Sequence, residues 1–535
     1  MPVPGKKQIF LLCRMDFIVV IVGLLLRVLD GLLAPYYWLR TRRHRQVPPL
    51  QDARLRLSVA EIVERIQSGE LSSEAITCAY IARIQEVNPY INAVVEDRFS
   101  AALAEAKQVD ILLEEARRNG KIEDAFKKKP LLGVPFTVKE SCQLTGLSNS
   151  VGCLEHAGRK AATDGGAVAN VRAAGGIPLL VSNTPELCLG WETTNRLNGT
   201  TRNPYCLARS AGGSSGGEAA LISSGASPFG VASDIAGSVR LPAAYCGLYG
   251  HKPTPGIIPI AGHIPTLQDA KYSEFLTVGP IARHAADLPR LLDVMAGPNA
   301  KLLRLDEPVD LRKVKVYYMT EATKSIGLID VDKRIKELVV SAARYLRDCG
   351  CELSEEKFTE FDHVLEMSVS EFFSMKDIPN MLLDPNDPKV ERNLFAEAAR
   401  VACGGGARSV QALLFTVAAR SQLFLTHAAR ARHRDNLDKL RRKLETALSD
   451  GVLLLPASIT TAPALGRHTR AGGAAYTMLV NVLRLPATAA PADSPPPAPH
   501  TPAALQIISA PYQDRLCIAV ARELEKRFGG WSPPH

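Results

Sequence analysis

Three short segments hold residue types suited to proton transfer and nucleophilic attack. The first is Pro135-Phe-Thr-Val-Lys139-Glu140, a lysine at the end of an apolar run. A lone lysine reads first as a solvated surface charge. Buried beside hydroxyl groups it changes character, because desolvation lowers a lysine pKa by up to roughly 3 to 5 units and a neutral amine is a base. The second is Ser210-Ala-Gly-Gly-Ser-Ser-Gly-Gly217. It lacks the Gly-Lys-Ser/Thr ending of a phosphate-binding loop, so a backbone that approaches a ligand or another segment closely is the better reading. Gly212, Ser214 and Gly216 also match the G-x-S-x-G nucleophile elbow. That elbow needs an apolar strand before the serine, and Asn203 to Arg209, with Pro204, is a poor strand. The third is Ser233-Asp-Ile-Ala-Gly-Ser-Val-Arg-Leu-Pro242. It places Ala236, Gly237 and Ser238 in a turn after the apolar run Pro228 to Ala232, where successive backbone N–H groups can hold a developing negative charge. Asp234 and Arg240 flank the turn, either as a brace across it or as an ordinary ion pair.

These segments need a framework of strands and helices. Gly133 to Val138, Ile177 to Val181, Pro228 to Ala232, Val314 to Met319 and Gly451 to Leu455 read as buried strands. Between the last two, Val331, Ile335, Leu338, Val339, Ala342 and Leu346 share one helical face that Gly350 ends. Ser58 and Glu61 form a capping box opening one helix, and a second spans Ala75 to Val87 and stops before Asn88-Pro89. This alternation predicts an α/β fold: a large mixed, mostly parallel twisted sheet covered by helices on both sides. Ser409 to Arg434 predicts a helix that packs on the core or lines a tunnel, with a basic end. Pro486 to Pro502, with seven prolines, predicts an extended surface loop.

The 535 residues exceed one small core. The net charge of +9 sits largely in local clusters such as Arg40 to Arg45 and Arg430 to Arg434, which argues against a nucleic-acid partner. Eleven scattered cysteines without a CxxC pair read as free thiols and argue against zinc. At the N-terminus, Phe17 to Leu26 is uninterrupted hydrocarbon and apolar character continues to Leu39. As a helix this stretch is about 35 Å long, enough for a bilayer. Arg27 and Asp30 lie on one helical face and would partly neutralise each other, and Tyr36, Tyr37 and Trp38 before the arginines resemble an interfacial belt. The expectation is a single membrane anchor with the main domain in the cytosol. The division that follows is 1–45 as anchor and basic flank, 46–57 as linker, 58–531 as catalytic domain and 532–535 as tail.

Taken together, Lys139 in Val-Lys-Glu, Gly212 to Gly217 and Asp234 to Pro242 resemble the amidase signature family, in order and spacing, from about Leu57 to Trp531. Within it, Gly247 to Gly256, Met295 to Pro298 and Phe528 to Trp531 are similar to the fatty-acid amide hydrolases, in particular their second type. The resemblance implies Ser238 as nucleophile, Ser214 as a bridging serine after a cis peptide, and Lys139 as base. The backbone N–H groups of Ile235, Ala236, Gly237 and Ser238 would form the oxyanion hole, with Ser215, Asp234 and Arg240 in support. It implies cleavage of lipid amides, such as N-acylethanolamines and primary fatty amides, at a membrane. No cofactor and no metal are required, no histidine has a role, and a homodimer is compatible with it. Two other functions stay open: a non-catalytic lipid-binding or scaffold protein on the same fold, or an amidotransferase subunit. The family often has two glycines where Ala236-Gly237 stands, and a glycine-rich approach to a strand where this chain has Pro486 to Pro502.

Overall fold

The computed structural model describes residues 6–42, 45–322, 325, 329–354, 356, 358–384, 387–421, 425–492 and 501–534, with the side chains of 6–20, 22, 384, 387, 388, 402, 421 and 471 outside that description. Eleven strands form the main sheet: β1 Val94–Asp97, β2 Pro135–Lys139, β3 Ile177–Ser182, β4 Phe229–Asp234, β5 Tyr249–Lys252, β6 Thr277–Ala282, β7 Lys315–Tyr318, β8 Glu352–Leu353, β9 Gly451–Pro456, β10 Ala487–Pro491 and β11 Ala504–Ile508. Their spatial order is β1-β3-β2-β4-β6-β5-β10-β11-β9-β7-β8. All five expected strands are present within a residue or two. The sheet is mixed and flanked by helices, as expected, but parallel pairing does not predominate. Only the β3–β2–β4 and β9–β7–β8 ladders are parallel. The centre, from β4 through β6, β5, β10 and β11 to β9, is antiparallel. Its β10 strand comes from a segment whose composition conceals a strand.

That segment is the expected Pro-rich surface loop. Ala487–Pro491 is instead a fully buried strand between β5 and β11. Alanine is a poor strand former, yet burial between two strands and under the helix Asp514–Phe528 overrides that preference. Residues 493–500 lie outside the described residues.

The capping box is made as expected: Glu61 N–H donates to Ser58 Oγ at 3.2 Å and Ser58 N–H to Glu61 Oε2 at 2.7 Å. The following helix, Ser73–Ile91, passes through Pro89 rather than stopping before it. Its end comes at Asn92, in the left-handed conformation, and Asn88 Oδ1 accepts from Ala93 and Val94 N–H. The stretch expected as one helix over Ser409 to Arg434 is two, Val410–Ser421 and His427–Ala447.

The N-terminal helix runs from Lys6 to Arg42. The expectation of a membrane anchor is overturned: among the described residues, no helix is long and apolar enough to cross a membrane. Part of the apolar run, Phe17 to Val20 and Val22, has side chains outside the described set. Over the described part, polar contacts hold the helix to the domain. Asp30 is buried and accepts from Arg467 Nη2 at 2.8 Å, Arg470 Nη2 at 3.1 Å and Thr469 Oγ1 at 2.7 Å. Burial alone would raise its pKa; the two guanidinium groups and the hydroxyl turn the shift downward. Arg27 does not neutralise Asp30 but pairs with Asp330 at 2.9 Å. Tyr37 donates to Gly466 O at 2.9 Å, beneath the Arg467 guanidinium, so this ring faces protein rather than an interface.

Candidate active site

Lys139 ends β2 and Ser233 lies near the end of the parallel neighbour β4, where Val138 stands opposite Val231. Phe136 and Phe229 stack with ring centroids 5.5 Å apart and fix this pairing from within the core. The two strands therefore deliver an amine and a hydroxyl to the same end of the sheet. Lys139 has no exposed surface. Its Nζ lies 2.7 Å from Ser214 Oγ and 2.9 Å from Ser233 Oγ, and no carboxylate pairs with it among the described residues. The cage is made of hydroxyls.

Ser214 arrives on the glycine-rich loop, after a cis peptide bond to Gly213. A Cβ at Gly213 would stand 2.5 Å from Gly190 O, and Gly212 has φ of +83°, so neither position accepts a larger residue without displacement. The strand before the loop, read as poor, exists: Cys206–Ser210 pairs with Arg202–Asn203 in a two-stranded ladder outside the main sheet. Ser214 is thus held by loop packing rather than presented from a central strand. Ser215 precedes the buried helix Gly216–Ser223 without a side-chain capping bond to it. Its N–H donates to Ser238 O at 3.3 Å and its Oγ to Ser233 O at 3.4 Å. Ser215 therefore joins the glycine loop to both ends of the Ser233–Ser238 segment and has no direct contact with Lys139.

The turn after β4 is organised by Asp234. Its carboxylate accepts from Gly237 N–H at 2.7 Å, Val239 N–H at 3.1 Å, Arg240 Nε at 3.0 Å and Asn481 Nδ2 at 2.9 Å. Full burial would raise the carboxyl pKa; the Arg240 guanidinium, Lys252 and the Asn481 amide reverse this and hold it well below the usual carboxylate range. Arg240, equally buried, also donates to Gln506 Oε1 at 2.8 Å and Asn481 Oδ1 at 2.6 Å. Of the expected row of oxyanion donors, Gly237 departs, because its N–H is already given to Asp234. The N–H groups of Ile235, Ala236 and Ser238 have no protein acceptor among the described residues. Gly237 is needed for another reason: at φ +106°, a Cβ there would stand 2.0 Å from Thr477 Oγ1.

Ser238 is only 4% exposed, and that exposure opens into a cavity of about 240 Å³. No hydrogen bond joins its Oγ to Ser214 Oγ in this state, among the described residues. The cavity walls are mainly apolar: Phe372 and Phe373 at the end of the helix Val364–Phe372, Leu414 and Phe415 on Val410–Ser421, and Trp191 and Met478. The first of the two helices within residues 409–434 packs on the protein through the buried Ala412 and Leu413, as the core-facing reading has it, and lines the cavity through Leu414 and Phe415. The helix bearing Phe372 was not foreseen, since the polar residues within Val364 to Phe373, Glu366, Ser368, Ser370 and Glu371, match no site motif.

A histidine also enters. His263 Nε2 lies 2.9 Å from Ser233 Oγ, one hydrogen bond from Lys139. Sequence reasoning gave no histidine a role, and a single residue in a loop carries no local signal. Elsewhere, Cys153, Glu155 and Glu186 cluster closely enough to hold a cation. Arg408 Nη1 already lies 2.9 Å from Glu155 and 3.0 Å from Glu186, so a guanidinium fills that place.

The family model described as Amidase matches residues 75–518. The chain belongs to the amidase signature family. This amidase is 36% identical to fatty-acid amide hydrolase 2-B of Danio rerio over 97% of each chain, and 34% identical to fatty-acid amide hydrolase 2 of Homo sapiens over 99% of this chain and 98% of that one. Among solved structures, 6-aminohexanoate cyclic dimer hydrolase complexed with substrate superposes with a TM-score of 0.67 at 25% identity, covering 90% of the amidase and 99% of that chain. A fatty acid amide hydrolase structure gives a TM-score of 0.69 at 20% identity, over 90% of the amidase and 86% of that chain, and so speaks for the fold. The amidase is an amide-hydrolysing enzyme.

Proposed function

We propose that this amidase cleaves fatty-acid amides, N-acylethanolamines and primary fatty amides among them, to a free fatty acid and an amine through an acyl-enzyme on Ser238. The observation that carries the reading is a cavity walled by Phe372, Phe373, Leu414, Phe415 and Met478 with Ser238 on its surface. An acyl chain in such a cavity is removed from water at about 25 cal/mol per Å² of apolar surface, which fixes the carbonyl beside the hydroxyl. The names of the fatty-acid amide hydrolase relatives support the same substrate class.

Lys139 in its uncharged form takes the proton of Ser214 Oγ, from which it is separated by 2.7 Å. Ser214 takes the proton of Ser238 as a rotation of the two side chains brings the hydroxyls together, and Ser238 Oγ attacks the carbonyl carbon. The free N–H groups of Ile235, Ala236 and Ser238 receive the negative charge on the carbonyl oxygen; each such donor is typically worth about 2.7 to 4 kcal/mol. The proton returns through Ser214 to the departing amine, and water then releases the acid. Asp234 and Arg240 hold the turn and take no proton in this scheme.

A fluorophosphonate probe tests the nucleophile and a panel of amides of graded chain length tests the substrate. Wild-type protein should be labelled and should prefer long acyl chains. Labelling that survives Ser238→Ala, or a preference for short amides, would overturn the corresponding half of the reading.

A further inference from the structure

The cage around Lys139 contains two hydroxyls, and they are not equivalent. Either Ser214 or Ser233 could in principle direct its proton at the lysine nitrogen. Only one lone pair exists on an uncharged amine, so a proton given by Ser233 would compete with the one the reaction needs from Ser214. Which hydroxyl occupies it depends on what lies behind Ser233.

Behind Ser233 stands His263, buried in the loop that follows β5. Its two ring nitrogens face different partners. Nδ1 lies 2.9 Å from the Tyr272 hydroxyl and 3.2 Å from the carbonyl oxygen of Pro265. A carbonyl oxygen only accepts. Tyr272, on the helix Ala270–Phe275, has a single hydroxyl proton and donates it to that same carbonyl. It therefore turns a lone pair toward the imidazole. Both neighbours of Nδ1 being acceptors, the ring proton resides on Nδ1. Burial is the main cause that lowers the His263 pKa, to about 3 while Lys139 is charged and still below the ordinary 6.5 when Lys139 is neutral, so the ring carries one proton near neutral pH and Nε2 is left as an acceptor. At 2.9 Å from Nε2, Ser233 must be the donor. With its proton committed, Ser233 Oγ can only accept from Lys139 Nζ. Ser141 Oγ, 3.5 Å from Ser233, is a more distant neighbour.

We infer that His263 is a positioning residue of this amidase: by taking the Ser233 proton it keeps the lone pair of Lys139 free for Ser214. Polarity thus runs in one direction, from Lys139 through Ser233 to His263 and on to Pro265. The inference rests on the proposed role of Lys139 as base. It adds a histidine that neither touches substrate nor exchanges a proton with it.

Five variants test it by steady-state hydrolysis of a long-chain fatty amide and by the rate of fluorophosphonate labelling, each with thermal unfolding as a fold control. His263→Leu removes the acceptor, and kcat should fall by about 10- to 100-fold, the scale of a misplaced catalytic group, with KM changed far less. His263→Gln places an amide oxygen where Nε2 stood and should recover most of that loss. Ser233→Ala removes the competing proton along with an acceptor for Lys139, so its loss should be smaller than that of His263→Leu, and adding His263→Leu to it should cost nothing more. Groups facing this chain also shape the pH profile: Glu218, Cys142 and Tyr272 beside Lys139 and His263. The acid limb of kcat/KM should therefore be compared between His263→Leu and His263→Gln, where only the former should move. Unchanged kcat in His263→Leu, losses that multiply in the double variant, or failure of a folded His263→Gln to recover would each overturn the inference. If His263→Leu does not fold, Ser233→Ala and His263→Gln decide it alone. Lys139→Ala separates the two levels: full activity there sinks the base itself, whereas an inactive Lys139→Ala beside an unaffected His263→Leu sinks only the positioning role.

Discussion

Lys139 and Arg240 are both cations without exposed surface, yet their surroundings differ in kind. Arg240 faces a carboxylate, two side-chain amide oxygens and a backbone carbonyl, so its charge is matched and its donors are spent. Lys139 hydrogen-bonds to hydroxyls alone among the described residues, and the Glu218 carboxyl, the Cys142 thiol and His263 act on it only through space. A fully paired ion is locked to one protonation state and one place, which suits a structural brace. An amine among hydroxyls has partners that can reverse the direction of their hydrogen bonds, which suits proton transfer. Burial alone therefore does not identify a reactive group; the partners do.

That contrast can be broken most severely at the reacting side. Ser238→Ala should lower hydrolysis by about a million-fold, to background, and Lys139→Ala by about a thousand- to ten-thousand-fold, with both proteins unfolding near the wild-type temperature. Arg240→Met should do the reverse in kind. It leaves Asp234 buried and unpaired and should cost about 3 to 5 kcal/mol in denaturant unfolding, with activity lost only as structure is lost. Gly237→Ala should be milder, on the order of 1 to 3 kcal/mol, as Thr477 is displaced and the turn is strained.

Acid unfolding separates the two centres by their windows. The folded pKa of His263, about 3, lies below the ordinary 6.5, so its share of stability is complete above pH 6.5 and is lost as pH falls toward 3. The slope is at most about 1.4 kcal/mol per pH unit. Asp234 is depressed below its ordinary 3.8, so its share survives to pH 3.8 and declines only below it. His263→Gln should flatten the stability profile between pH 6.5 and 3.8 and leave the steeper fall beneath. The smallest effect belongs to the cavity wall: Phe415→Ala should reduce kcat/KM for long-chain amides roughly tenfold and leave short ones nearly unchanged.

Legibility in the sequence followed the same physics. Lys139, Ser214 and Ser238 stood out because strands β2 and β4 are continuous apolar runs with sharp ends and because glycine clusters mark close backbone approach. The brace was half visible: Asp234 and Arg240 are neighbours in sequence, whereas Asn481 and Gln506 reach them from more than 240 positions away and carry no local sign. β10 was hidden by its alanines and prolines, whose weak strand preference is overruled by the two strands they pair with. His263 was invisible for a further reason. Its meaning lies in which nitrogen holds a proton, and that is decided by Tyr272 and Pro265, not by any pattern in the chain. The N-terminal helix misled because hydrophobicity was counted without the partner of Asp30.

Asp30 has a consequence for the cavity as well. Arg467 and Arg470 converge on it, and between and just beyond them His468 and Gly472 form part of the cavity wall. A chain cut after Arg45 would leave two like charges facing each other across the vacated space, with Asp332 paired to Arg470 and no other carboxylate paired to Arg467 among the described residues. Mutual repulsion would then act directly on the cavity wall. The first helix works as a counterion for the pocket, and shortening the protein for convenience would alter the very surface whose substrate preference is to be measured.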